Sequence, residues 1–126
     1  MSFLNAVRFN ADGLVSVIAV DDDDGAVLMQ AWMNAEALAE TVRRGEMVYF
    51  SRSRQRLWHK GETSGHVQTL VSLWLDCDGD SLVARVRQQG GIACHTGRKS
   101  CFYRKFEEGV WQDVAPVLKS AEDIYG

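Results

Sequence analysis

Val67-Gln68-Thr69-Leu70-Val71-Ser72-Leu73-Trp74-Leu75, then Asp78-Gly79, then Leu82-Val83-Ala84-Arg85-Val86-Arg87: two apolar, β-branched runs flank a dipeptide that favours the tightest hairpin turns. The spacing predicts a pair of antiparallel strands, with Val67, Val71, Leu73 and Leu75 sharing one face.

Upstream, Leu14 to Val20 and Ala26 to Met29 are apolar runs separated by Asp21-Asp22-Asp23-Asp24-Gly25, which reads as a solvated turn between two more strands. Asn34 is placed to cap a helix ending at Arg43, Arg44 and Gly45, with Ala35, Leu38, Ala39 and Val42 as its buried stripe and Glu36 at the positive dipole end. Met47 to Ser51 reads as a strand, and Arg52 to Gly65 as a polar segment. Phe102 to Phe106, Glu107-Glu108-Gly109 and Val110-Trp111 form a second hairpin signal, and a short helix is expected after Pro116. Strands outnumber helices and are joined by short turns, so the fold class is α+β: a mainly antiparallel sheet carrying one clear helix.

The chain has 126 residues, 46% of them hydrophobic, which is enough for one core and too little for two. Residues 1–126 are therefore read as a single domain. No apolar stretch approaches the roughly 20 residues of a membrane span, and the N-terminus lacks a basic, then apolar, leader pattern. A cytoplasmic protein with no membrane partner is expected. The net charge of −3 argues against a nucleic-acid partner, because that binding needs clustered Lys and Arg to neutralise phosphates. Any phosphate site should be small and local.

Three segments concentrate groups that can do chemistry. Cys77 lies in Asp76-Cys77-Asp78-Gly79-Asp80, while Cys94 and Cys101 bracket a loop containing His95. An odd cysteine count in a reducing compartment argues against a disulfide framework, leaving burial or metal binding. Three thiolates would leave tetrahedral zinc one open position, the mark of a catalytic site. Asp76, Asp78 and Asp80 alternate, so extended backbone aims all three carboxylates one way and Cys77 the other, an arrangement suited to a hard cation such as magnesium. An EF-hand is excluded, because Ser81 and Arg87 occupy the positions that need glycine and bidentate glutamate. Finally Arg52, Arg54 and Arg56 share a period of two, and Lys60-Gly61-Glu62-Thr63-Ser64-Gly65 follows as a loop with exposed amides and hydroxyls, a combination suited to phosphate. The Gly-Lys-Ser/Thr order of a P-loop is absent. His59 and His66 flank this loop, and a hydrogen-bonded structural role competes with a functional one for each.

Leu28-Met29-Gln30-Ala31-Trp32-Met33-Asn34, Ser51-Arg52-Ser53-Arg54, Leu57-Trp58-His59-Lys60-Gly61-Glu62-Thr63-Ser64-Gly65-His66, the Asp76–Asp80 string and Ala93-Cys94-His95-Thr96-Gly97 together resemble the phosphoribosyl-AMP cyclohydrolase family over roughly residues 14 to 106. The resemblance implies an intertwined homodimer. It implies zinc bound by Cys77 of one subunit with Cys94 and Cys101 of the other, and magnesium held by Asp76, Asp78 and Asp80. Gly90-Gly91-Ile92-Ala93 stands where family members frequently have a proline, which touches loop rigidity rather than ligand identity. Some relatives carry a fused phosphoribosyl-ATP pyrophosphohydrolase domain. With 126 residues there is no room for one here, so the preceding step is expected of another protein.

The implied reaction is hydrolytic opening of the adenine ring of phosphoribosyl-AMP in histidine biosynthesis. For it, His95 is the candidate general base, and Arg52, Arg54 and Lys60 to Gly65 are the candidates for the phosphates. A zinc nucleobase deaminase is disfavoured, since the His-x-Glu and Pro-Cys-x-x-Cys signatures are missing. A zinc-stapled binding module is the non-enzymatic alternative.

Overall fold

The computed structural model describes residues 2–125. Its centre is a four-stranded sheet in the order β2-β1-β6-β5, in which β1 spans Val15–Asp21 and β2 spans Val27–Met33. The hairpin that opened the sequence reading is β5 (Gln68–Leu75) and β6 (Ser81–Gln88), paired antiparallel around Gly79, whose φ of 78° needs no Cβ to be avoided. The one parallel pairing joins β1 to β6, Ser16 opposite Ser81.

One expected feature of β5 is corrected. Its register slips between Leu70 and Ser72, and a bulge of this kind reverses the alternation beyond it. Gln68, Leu70 and Leu73 therefore turn toward the core, while Val71 is turned out and Leu75, on the same face as Leu73, is exposed near the end of the strand. Period-two counting puts Val71 on one face with Leu73 and Leu75, and the bulge separates it from them.

The helix α1 spans Ala35–Arg44; the Asn34 side chain accepts from the Ala37 amide and Gly45 closes it in the left-handed region. Its buried face is Ala37, Leu38 and Thr41; of the expected Ala35, Leu38, Ala39 and Val42, Leu38 is buried and Ala39 half-buried, while Ala35 and Val42 are exposed. Thr41 takes the inner position because its hydroxyl is satisfied there. It lies 2.9 Å from the Ala37 carbonyl and 3.0 Å from the Val48 carbonyl, and accepts from the Val48 amide at 2.9 Å.

Strand β3 (Val48–Ser51) pairs antiparallel with β4 (Arg56–His59), which sequence reading had left in a polar segment. The second hairpin, β7 (Arg104–Glu107) and β8 (Val110–Asp113), turns at Glu108 and Gly109, both with positive φ. The short helix α2 spans Ala121–Tyr125. Among the described residues, no helix is long and apolar enough to cross a membrane.

The core lies between the inner face of the sheet and α1 with β3: Val15, Val17, Leu28, Met33, Leu38, Met47, Tyr49 and Val86 are essentially inaccessible. It contains one polar knot. The Tyr49 hydroxyl donates to Gln68 Oε1 at 2.6 Å and Gln68 Nε2 donates to Gln88 Oε1 at 2.8 Å, so the buried amide is paired on both sides.

Candidate active site

Strands β3 and β4 and the loop after them enclose a cleft of ≈ 820 Å³, within the range of small-molecule sites. Arg54 and Arg56 enter from the β3–β4 turn and strand start, Lys60, Gly61, Glu62, Thr63 and Ser64 from the following loop, and His95 from the loop between Cys94 and Cys101. Segments some thirty residues apart in the chain are thus brought to one wall. Trp58 contributes an aromatic surface, tilted against Tyr49 at a centroid distance of 5.5 Å.

Two predicted phosphate residues stand apart from this lining. Arg52 lies with its guanidinium carbon 5.1 Å from the centre of the Trp32 ring, and Gly65, whose amide donates to the Gly61 carbonyl at 2.8 Å, closes the loop from behind. Gly61 is needed as glycine: its φ is 84°, and a Cβ there would meet the backbone of His66 and Val67. Ser51, Ser53, Arg56 and Trp58 also line the cleft. The period-two arginines signal Arg56; Trp58, quoted only within a family string, carries no expected role at the site because Arg52 to Gly65 reads as a polar segment.

Lys60 is buried at 7% relative exposure, and its ammonium donates to the Ala93 carbonyl at 2.6 Å. Burial holds its pKa below the ordinary lysine value, opposed by the nearby Cys101 and Cys94 thiols. The other histidines of the region are occupied. His59 Nε2 lies 2.7 Å from Glu46 Oε1, and the His66 ring sits where a Cβ on Gly90 would be. The His66 pKa is lowered by burial first and by Lys119 and Lys60 after it.

Cys94 is buried, with its sulfur 3.0 Å from Thr96 Oγ1. Cys101 is exposed as a residue, yet burial of its sulfur, followed by the neighbouring Cys94, pushes its thiol up to about 12. Cys94 and Cys101, two thiols at the ends of one loop, are a donor set that a divalent cation would suit. Cys101 is fixed by its own amide, which donates to the Leu28 carbonyl at 2.7 Å. The acidic turn after β1 helps to hold the same loop, because Lys99 ion-pairs with Asp24 and Asp21.

Cys77 lies elsewhere. It is exposed on the β5–β6 turn, at the end of the sheet marked by Ser81, Ser16 and Trp32, whereas Cys101 hangs from Leu28 near the opposite end of β2. At about 3.4 Å per residue, the span from Leu28 to Met33 is roughly 17 Å. Within one chain the three sulfurs do not meet.

Asp76, Asp78 and Asp80 do. Among the described residues they form the one group of three or more metal-type side chains whose ligand atoms all lie within 4.8 Å of one another. Desolvation works against ionisation of Asp76, but hydrogen bonds from the Asp80 and Ser81 amides outweigh it and lower its pKa. Asp80 is raised, first by its hydrogen bond with Asp78 and then by that residue's charge.

Comparison with known proteins agrees over nearly the whole chain. Residues 29–103 match the family model described as phosphoribosyl-AMP cyclohydrolase. Relatives bearing that name include those of Thioalkalivibrio sulfidiphilus, 55% identical over 98% of this chain and 95% of the relative; Azotobacter vinelandii, 57% identical over 98% and 92%; and Stutzerimonas stutzeri, 58% identical over 99% and 95%. The matched span includes β3, β4, the cleft loop, the Asp76–Asp80 turn and both cysteines around His95. With such identity across those elements, the chain belongs to the phosphoribosyl-AMP cyclohydrolase family.

Proposed function

We propose that this enzyme hydrolyses the N1–C6 bond of the adenine in 1-(5-phosphoribosyl)-AMP, giving the formimino-aminoimidazole carboxamide ribonucleotide, the third step of histidine biosynthesis. In this reading zinc is held by Cys77, Cys94 and Cys101 and magnesium by Asp76, Asp78 and Asp80. One observation carries it: His95, beside Cys94, opens into the same cleft as Arg54, Lys60 and the Gly61–Ser64 loop. A phosphate-binding surface and a titratable group near a thiol pair therefore border one volume.

Alkylation at N1 gives the substrate's adenine amidinium character, so C6 is already electrophilic. Zinc in a three-thiolate set would supply Lewis acidity that can bring the pKa of water down toward about 7. Thiolates partly neutralise the metal, so a base is still useful. His95 takes the proton as water adds to C6, an effect typically worth about 10²–10⁴ in rate. The tetrahedral carbon then collapses: the C6–N1 bond breaks, its electron pair stays on N1, and the exocyclic amine remains as a carboxamide. No ammonia leaves. Arg54 and the loop amides orient the phosphoribosyl ends, with Arg52 reserved for a longer reach from its place over Trp32.

The assembly is a homodimer with the zinc site shared between subunits. Cys77 lies at the far end of the sheet from Cys101, so three thiols on one zinc require two chains. The exposed apolar side chains support the same conclusion: Trp74 at 61%, Trp111 at 67% and Phe106 at 60% exposure form patches of the kind that partner subunits cover. Three free thiols suit a cytoplasmic setting.

The test is ultraviolet-monitored turnover of phosphoribosyl-AMP by the purified protein, with and without a zinc chelator, alongside an ammonia assay. Chelator-sensitive ring opening without ammonia is expected. Ammonia release would point to deamination instead, and absence of turnover by zinc-loaded dimer would favour a binding module.

A further inference from the structure

Lys60 is the one buried charged residue of the described chain, and a buried ammonium is retained only where something offsets its desolvation. Two features around it do so. Its Nζ donates to the Ala93 carbonyl at 2.6 Å. It also lies 5.4 Å from the centre of the Trp58 ring. Ala93 directly precedes Cys94 and His95. The amides of Ala93 and Cys94 are themselves tied to the carbonyls of Lys99 and Arg98 at 3.1 Å each, so the bond from Lys60 fixes a closed loop rather than a single residue.

We propose that Lys60 is a positioning residue of the thiol site and not a grip on substrate phosphate: it pins the base of the Cys94–Cys101 loop to the cleft. An ammonium already committed to a backbone carbonyl, at 7% exposure, has little freedom left to follow a phosphate. The phosphate work then falls to Arg54, Arg56 and the Gly61–Ser64 amides, which border the same cleft. The proposal rests on the zinc reading given above.

The test compares wild type, Lys60→Met and Lys60→Arg as zinc-reconstituted dimers. Zinc affinity is read by competition with a chromophoric chelator, and kcat and KM are measured separately. Residues that hold metal ligands in place typically cost about 10–100-fold in metal affinity when lost. Lys60→Met is expected to lose affinity on that scale, with a fall in kcat and little change in KM. Lys60→Arg keeps the charge and a donor that reaches Ala93, and should stay within about threefold of wild type on the same scale. It also serves as the reporter should Lys60→Met fail to fold, in which case a loss as large as tenfold in the arginine variant would overturn the proposal. A rise in KM with unchanged zinc affinity would make Lys60 a substrate ligand, and a fall in Tm alone would make it structural; either overturns the proposal while leaving the zinc reading intact. Wild-type protein that binds no zinc would overturn both.

Discussion

At the scale of single residues, His95 is the sharpest case. It is exposed to the cleft and next to a buried thiol, so His95→Ala is expected to lower kcat by about 10²–10⁴ while leaving zinc content unchanged; full turnover by that variant would remove it as the base. A different kind of residue is Tyr49, which contributes nothing to the cleft wall but satisfies Gln68 from inside the core. Tyr49→Phe leaves a buried amide oxygen without its donor, and denaturant unfolding should show a loss of about 1–3 kcal/mol. The two substitutions should separate cleanly: one changes rate without stability, the other stability first. The cysteines, the aspartate triplet, His95 and the basic loop were legible as candidates by type and spacing, and the structure gathers the aspartates and puts His95 on the wall of the basic-loop cleft. Trp58 and the commitment of Lys60 to Ala93 were not, since a contact between residues 33 positions apart leaves no trace in local pattern.

Among the elements, α1 was readable from its ends inward. Asn34 and Gly45 close it as expected, and Asn34→Ala should cost about 1 kcal/mol of stability, measured by urea unfolding. Its buried face was misread because Thr41, polar by type, is satisfied by local backbone and so competes successfully for the inside. The bulge in β5 misled in the same way: one extra residue at Val71 is invisible to a period-two count. On the outer face of α1, Glu40 binds both Arg43 and Arg44, and hydrogen bonds to those two, Arg43 first, lower its pKa from 4.5 to about 2. A carboxylate lowered on folding contributes stability that is complete above 4.5 and fades as the pH falls toward about 2. The stability difference between wild type and Glu40→Gln should therefore shrink through that acid window. Because the cluster is exposed, it should also shrink in high salt.

For the whole molecule, the separation of Cys77 from Cys94 and Cys101 makes a prediction that single-chain chemistry cannot imitate. Cys77→Ser and Cys94→Ser homodimers should each be inactive, whereas refolding them together as an equal mixture should return about a quarter of wild-type turnover, since half of the dimers are mixed and each of those keeps one intact site. No recovery on mixing, with dimers formed, would place all three thiols in one chain. Fold class was legible from strand count and turn length, but the parallel pairing of β1 with β6 was not, because nothing in either strand names a partner 65 residues away. That pairing also imposes an order of events on a newly made chain. The first strand to leave the ribosome has only β2 beside it until Ser81–Gln88 has been synthesised, and closing so long a loop is slow compared with forming either hairpin. Cys94 and Cys101 follow Gln88 closely in the chain, and the Cys101 amide hangs on the Leu28 carbonyl of β2, so their loop settles onto a hairpin that was made first.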